Sequence, residues 1–273
     1  MSSVITLGLI GFGNVGQGVH SILNTNADTI VDRIGASVRI KTICVRNIEK
    51  YQDIANGIPL TTNADDIMSD PEIDIVVELI GGEYPAYDYV VSALKHKKYV
   101  VTANKELIAK HKQTFFKLAQ ENGVDIYFEA SVGGGIPIIK SFKVGYSANQ
   151  IQSVSGILNG TTNFILTKLF EDKQEFNTVL KEAQRLGFAE ADPTADISGL
   201  DAAYKIVILT AVALKVDIDI KDIYYEGIEH VALKDTLYLD ELGYRVRLIG
   251  KAVREPESVF VAVFPLAIPI EHP

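Results

Sequence analysis

Basic residues, cysteine and unbroken apolar runs are all scarce in this chain, and each scarcity excludes something. Across 273 residues, 26 Lys and Arg are set against 35 Asp and Glu, a formal net charge of −9. Non-specific nucleic-acid binding needs a positive field, so no nucleic-acid partner is expected. A local basic pocket for a phosphate remains compatible with that total. The single cysteine, Cys44, cannot close an intramolecular disulfide. That argues against a small secreted scaffold and fits a reducing compartment. No Lys or Arg precedes Arg33, and the apolar opening Val4–Phe12 is broken by Gly8 and Gly11, so a signal peptide is not expected. The longest uncharged stretch, Val144–Thr167, is full of Asn, Gln, Ser and Thr, and the apolar run Ile206–Leu214 is only nine residues. Neither can cross a bilayer. The expectation is a soluble, cytoplasmic protein with no membrane partner. His20, His96, His111, His230 and His272 share no ligand spacing, so zinc is not expected.

What is present is a chain long enough for about two domains at ~150 residues each, with a 47% apolar fraction that suits a real core. Strand-like runs (Val4–Ile10, Val38–Val45, Ile73–Leu79, Tyr99–Thr102, Val124–Phe128) alternate with helix-like segments (Asn14–Asp32, Asp65–Met68, Tyr84–Lys95, Lys105–Glu121). The strands are short, rich in Val and Ile and apolar on both faces, as in a parallel sheet covered on both sides. This predicts a doubly wound α/β domain over residues 1–130. The glycine-rich stretch Ser131–Pro137 reads as a junction. Residues 131–273 predict a second, α+β domain: a strand Ile151–Ile157, helices Thr161–Phe170 and Phe176–Leu186, a long helix Gly199–Lys215, and strands Arg245–Ala252 and Val259–Phe264. The segment Val216–Gly243 has no clear pattern.

The first strand runs into Gly11-Phe12-Gly13-Asn14-Val15-Gly16 and then a helix. Gly11 allows the tight turn, Gly13 lets the backbone approach a pyrophosphate, and Gly16 permits close helix–strand packing. The helix N-terminus offers free N–H groups and partial positive charge to the phosphates. A merely structural turn is the alternative. In an NAD enzyme the second strand should end in an acid that holds the ribose 2′-OH. Here it ends Cys44-Val45-Arg46-Asn47, and a guanidinium at Arg46 matches a 2′-phosphate. NADP is therefore favoured over NAD, the alternative for Arg46 being a solvated charge. The third strand ends Glu78-Leu79-Ile80-Gly81-Gly82, glycines at the edge where ligands bind. A helix-entry turn explains them equally well.

Lys105 opens a helix after Thr102-Ala103-Asn104, with Asn104 a candidate N-cap. A lysine in a first turn is opposed by the macrodipole by ~0.3–1 kcal/mol, which points to a use beyond solubility; an exposed lysine tolerating that small penalty is the alternative. The densest pattern is Glu190-Ala-Asp192-Pro-Thr-Ala-Asp196-Ile-Ser198-Gly-Leu-Asp201-Ala-Ala-Tyr-Lys205, just past the helix-ending Gly187. Ser198 and Asp201 can be read as a capping box. The helix continues apolar almost all round, so it is buried, and Asp201 and Lys205 lie one turn apart at its mouth. A partly desolvated lysine beside carboxylates is a tunable proton donor; a buried ion pair is the alternative. Cys44, inside a strand, reads as core rather than as a nucleophile.

The run Ala183–Lys205, the glycine turn, Thr102-Ala-Asn-Lys105, Glu129-Ala-Ser-Val-Gly-Gly-Gly-Ile136 and Gly156-Ile-Leu-Asn-Gly-Thr-Thr-Asn163 together resemble the homoserine dehydrogenase family along nearly the whole chain. The resemblance implies a Rossmann-type nucleotide-binding domain with a second substrate and dimerisation domain. It also implies reversible NAD(P)-linked reduction of L-aspartate 4-semialdehyde to L-homoserine, on the route to threonine, methionine and isoleucine. Lys205 would be the proton donor. Lys105 would assist proton transfer and border cofactor and substrate, and Glu190 and Asp201 would hold the substrate. Gly11 to Gly16, Arg46, Gly81, Lys105 and Gly187 would contact the cofactor. Glu129, Val132, Gly134 and Ile136 would bind a monovalent cation, sodium, mostly through backbone carbonyls. The family is dimeric through the second domain's sheet, so a homodimer is expected. Relatives usually continue past the Ile268–Pro273 end, and many bacterial ones add a regulatory ACT domain, so a carboxyl-terminally truncated chain is expected. No fused aspartokinase is expected ahead of residue 1. Two competing readings are a nucleotide-binding sensor, which would not need Glu190, Asp201, Lys105 and Lys205 together, and another aldehyde or 2-hydroxy-acid reductase, which broad substrate use would reveal.

Overall fold

A computed structural model describes residues 3–272; the expected domain limits at residues 1 and 273 lie outside them. The first half alternates β1 (Ser3–Ile10), α1 (Asn14–Thr25), α2 (Ala27–Ile34), β2 (Ala36–Cys44), β3 (Leu60–Thr61), α3 (Asp65–Met68), β4 (Ile75–Glu78), α4 (Ala86–Lys95), β5 (Tyr99–Thr102), α5 (Lys105–Asn122) and β6 (Ile126–Tyr127). The strands form one sheet in the order β3-β2-β1-β4-β5-β6, with every neighbouring pair parallel. The order runs first one way and then the other from β1, and under the right-handed rule for parallel crossovers such an order puts helices on both faces. Leu7, Leu9, Ile43 and Val77 fill the core beside the sheet with Phe12. The strand order reverses between β1 and β4, so the carboxyl ends of those strands frame the crevice where such folds take ligands.

One local expectation is corrected. The helix expected over Asn14–Asp32 is two helices broken at Asn26 (φ −108°, ψ 20°), and α2 ends on Gly35 in the left-handed region. Asn competes with the helical backbone for hydrogen bonds and favours helix ends. The two-residue strand β3 is too short to leave any periodicity.

The second half contains α6 (Ile138–Lys140), β7 (Ser153–Gly156), α7 (Gly160–Glu171), α8 (Phe176–Leu186), α9 (Thr194–Ile197), α10 (Leu200–Leu209), β8 (Tyr224–Tyr225), α11 (Leu233–Glu241), β9 (Tyr244–Arg254) and β10 (Val259–Pro269). Its sheet has the order β7-β9-β10-β8. β9 is antiparallel to both neighbours, and β8 is parallel to β10. Helices α7, α10 and α11 pack against β9. A Cβ on Gly250 of β9 would come within 2.6 Å of Leu158, so the glycine seats the chain just before α7 on the sheet. Ile206, Val207, Ile208 and Leu209 of α10 are fully buried, each worth ~1.5–3 kcal/mol of apolar transfer. The long helix expected over Gly199–Lys215 is regular only to Leu209; Thr210–Leu214 continues as a wider π-type turn. The unpatterned segment holds a 3₁₀ turn at Ile220–Asp222, β8 and α11. The chain divides into two compact units at Gly135–Ile136, inside the glycine-rich stretch rather than before it. Among the described residues no helix is long and apolar enough to cross a membrane.

Candidate active site

In the first unit, the turn after β1 is built on Gly11, whose φ is +97°. A Cβ there would lie 2.9 Å from the Leu79 carbonyl oxygen, and one on Gly16 would lie 2.5 Å from the Gly11 oxygen. Both positions are closed to any larger residue. Gly13 differs: a Cβ there would meet nothing within 4 Å, so its surface is open to a ligand. Gly13 is also the N-cap of α1, with no side-chain cap and no acid in the first turn. The Gly11 N–H donates to the Cys44 carbonyl at 2.9 Å, which ties the turn to the end of β2. Gln17 donates to the Phe12 carbonyl. Phe12 itself is 1% exposed, so its ring is core and only its backbone can serve a cofactor. Asn14 and Val15 are exposed at the helix start. These residues fit a dinucleotide pyrophosphate: open backbone at Gly13 and uncapped N–H groups at an electropositive helix end.

Arg46 is exposed two residues beyond β2, with no acid at the strand tip. Gly81 and Gly82 both lie in the left-handed region, at the carboxyl end of β4. A buried polar chain connects this edge to α5. Glu78, wholly buried, accepts from the Thr102 hydroxyl at 2.6 Å and from the Ile80 N–H at 2.9 Å. Thr102 accepts from the Asn104 N–H, and the Asn104 amide donates to the Gly82 carbonyl at 2.6 Å. Asn104 also caps α5, accepting from the Leu107 N–H at 3.0 Å, as the sequence led us to expect. Lys105, half-buried, is the first residue of that helix. Glu83 receives Lys110 at 2.7 Å and His111 at 2.8 Å; those bonds hold its carboxyl below the usual carboxylate range. Glu129 opens a 3₁₀ turn, Val132 is buried and Gly134 is exposed. Ile136 is an exposed residue of the second unit. Among the described residues no group of three or more His, Cys, Asp or Glu converges on a metal position.

In the second unit, Asp201 and Lys205 form an ion pair one turn apart on α10, with Asp201 Oδ2 2.7 Å from Lys205 Nζ. The carboxylate side chain is 3% exposed and the lysine side chain 18%. Lys205 also donates to the Leu158 carbonyl at 2.8 Å. Among the described residues these two acceptors leave its third N–H without a partner. Asn159, 5% exposed, donates to Asp201 Oδ2 at 2.8 Å and to Asp196 Oδ1 at 2.7 Å. The Thr161 hydroxyl lies 2.7 Å from the Phe188 carbonyl and 3.0 Å from Asp196. The capping-box reading of Ser198 and Asp201 is corrected: Gly199 is the N-cap of α10, in the left-handed region with no side-chain cap bond. Burial is the physical reason, because Asp201 is only 2% exposed and is drawn inward by Lys205 and Asn159. Glu190 stands apart from this network, its side chain exposed and its backbone carbonyl accepting from Gln184. Gly187 ends α8 in the left-handed region.

Sequence reasoning missed Asn159, Asp196, Thr161 and Glu78. Asn159 and Thr161 lie in the Gly156–Asn163 block and Asp196 in the Glu190–Lys205 run, so all three were in view without an assigned role. Glu78 gave one further signal, an acid at the end of an otherwise apolar strand. Cys44 is buried, and burial, followed by the charge of Asp66, pushes its thiol above the usual range, so it is no activated nucleophile.

The strand order, the glycine turn at the first crossover and the open N-terminus of α1 define a dinucleotide-binding α/β protein. Two family profiles match the chain: "Homoserine dehydrogenase, NAD binding domain" over residues 11–129 and "Homoserine dehydrogenase" over residues 137–273. The chain belongs to the homoserine dehydrogenase family. The homoserine dehydrogenase of Bacillus subtilis is 44% identical over 272 residues, spanning 98% of this chain and 62% of that protein. The crystal structure of a homoserine dehydrogenase from Thiobacillus denitrificans is 47% identical with a TM-score of 0.96, covering 100% of this chain and 64% of that one. That of a putative homoserine dehydrogenase from Archaeoglobus fulgidus is 31% identical with a TM-score of 0.89, covering 98% and 85%. The chain thus spans about three fifths of the length of the Bacillus relative.

Proposed function

We propose that this chain catalyses the reversible NAD(P)(H)-linked reduction of L-aspartate 4-semialdehyde to L-homoserine, in the supply of threonine, methionine and isoleucine. The observation that carries the reading is the Asp201–Lys205 pair at 2.7 Å on a buried helix, in a chain of this family. When bound, the nicotinamide supplies the hydride that becomes the new C–H bond on the aldehyde carbon. Lys205 Nζ gives its proton to the aldehyde oxygen, completing the alcohol; in the oxidising direction the neutral amine takes it back. General acid–base assistance of this kind contributes ~10²–10⁴-fold. Asp201 holds the lysine and, with Glu190, binds the substrate's polar ends. Lys105 assists proton transfer and contacts the cofactor, supported by its place at the start of α5 beyond the carboxyl end of β5.

Gly11 to Gly16, Gly81 and Gly187 are assigned to cofactor binding. Arg46 is assigned to the 2′-phosphate, with NADP(H) preferred over NAD(H). Support for this comes from its exposure past β2 and the missing acid there. Glu129, Val132, Gly134 and Ile136 are assigned to a sodium ion, since oxygen donors suit a hard cation. A homodimer through the second unit's sheet is supported by Phe260 and Leu266, which lie at even spacing on β10 and are exposed. A cytoplasmic location is supported by the lone reduced thiol.

The deciding experiment is NADPH oxidation by this chain with L-aspartate 4-semialdehyde, followed by absorbance. Turnover confined to that aldehyde supports the reading, equal turnover with unrelated aldehydes replaces it with a broader reductase, and no turnover overturns it. Lys205→Ala should abolish turnover and leave NADPH binding by titration nearly intact. Arg46→Asp should shift the kcat/KM preference towards NADH.

A further inference from the structure

We propose that Asn159 is a positioning residue for the Lys205 proton donor, acting through Asp201 and linking a second carboxylate, Asp196, to the pair. The inference rests on the reading of Lys205 given above and adds a residue to it. The amide of Asn159 has two N–H donors, and each goes to a different carboxylate, Asp196 Oδ1 at 2.7 Å and Asp201 Oδ2 at 2.8 Å. The Asp201 oxygen that accepts from Asn159 is the one that holds Lys205 at 2.7 Å. The neighbouring carbonyl, that of Leu158, accepts from the same ammonium at 2.8 Å. Residues 158 and 159 therefore grip both members of the pair at once, one by backbone and one by side chain. The other polar atom of the Asn159 side chain is also used: its Oδ1 accepts from the Thr162 N–H at 2.8 Å and caps α7. With both N–H donors and the carbonyl oxygen engaged and the residue 5% exposed, the amide cannot rotate without breaking a bond.

A carboxylate carries two oxygens and can hold a lysine in several geometries; the second donor selects one. Asn159 thereby joins Asp201 and Lys205 of α10 to Asp196 of α9. A neutral donor between the buried Asp201 and the half-buried Asp196 keeps the two carboxylates apart in charge as well as in space. Asp at position 159 would keep the cap, because Asp caps as well as Asn, but would set a third negative charge against both.

The test compares Asn159→Asp with the double variant Asn159→Asp, Asp196→Asn. The single variant should fold, lower kcat by about 10–100-fold and leave the NADPH KM unchanged. It should also move the pH profile of homoserine oxidation to higher pH, because a third negative charge favours a protonated donor. The double variant restores an amide–carboxylate bond between 159 and 196 but not the donor to Asp201, so kcat should stay low. Recovery of kcat in the double variant would mean that Asn159 serves only as a structural tie to Asp196, and an unmoved pH profile in the single variant would overturn the proposal. Lys205→Ala separates the two readings: if it keeps turnover, the proton-donor reading fails; if it is inactive while Asn159→Asp is normal, only the positioning role fails.

Discussion

Single residues here owe their chemistry to how deeply they are buried and to which donors reach them. Cys44 shows this on the inert side. Burial raises its thiol above the ordinary range, so the folded chain gives up that proton at higher pH than the unfolded chain does. Below the ordinary thiol range the group does not affect stability; as pH rises through and beyond it, the unfolded state binds fewer protons and the folded state loses stability. We expect a thiol-specific reagent to modify Cys44 slowly in the folded chain at neutral pH and rapidly in denaturant; equal rates would place the thiol at the surface. Asp201 shows the limit of reading residues from sequence. Its spacing from Ser198 matched a capping box, while its actual partners, Asn159 and Lys205, include one from far away in the chain. Lys205 at four residues was legible because helical periodicity alone brings it near.

At the scale of elements, alternation of apolar strands with amphipathic segments made the parallel sheet readable, and the glycine turn fixed where the first helix starts. The second half was less legible. There the order β7-β9-β10-β8 depends on pairing between distant strands, which no local pattern encodes. The corner between α9 and α10 is one such place. Gly227, far along the chain, approaches so closely that a Cβ would lie 1.9 Å from the Ile197 carbonyl oxygen. The Ile228 N–H donates to that same carbonyl at 2.7 Å. Backbone meets backbone, so no rotamer change relieves the contact. Gly227→Ala should cost about 1–3 kcal/mol, seen as a lowered midpoint of thermal unfolding, and should disturb Asp196 and Asp201 on the two helices it braces. An unchanged midpoint would show that the segment can move aside.

At the scale of the molecule, each unit carries its own sheet and core. The glycine turn, Arg46 and the Glu78–Thr102–Asn104 chain all belong to the first unit, and the Asp201–Lys205 pair with its brace belongs to the second. NADPH at a hundredfold excess over its Kd should stabilise the protein by about 2.7 kcal/mol. Amide protection measured by hydrogen exchange should rise most over residues 11–17 and 79–84, and protection confined to other segments would move the cofactor site elsewhere. The pairing geometry of the second unit also bears on the order of assembly. Asp201 and Lys205 are four residues apart, whereas Asn159 reaches Asp201 across 42 residues. Helices close in under about a microsecond, but contacts between distant segments must first meet the entropy of a long loop. The ion pair thus needs only one turn of helix to bring its partners together, whereas the brace needs a 42-residue loop to close, so the brace carries the larger entropic cost of assembly.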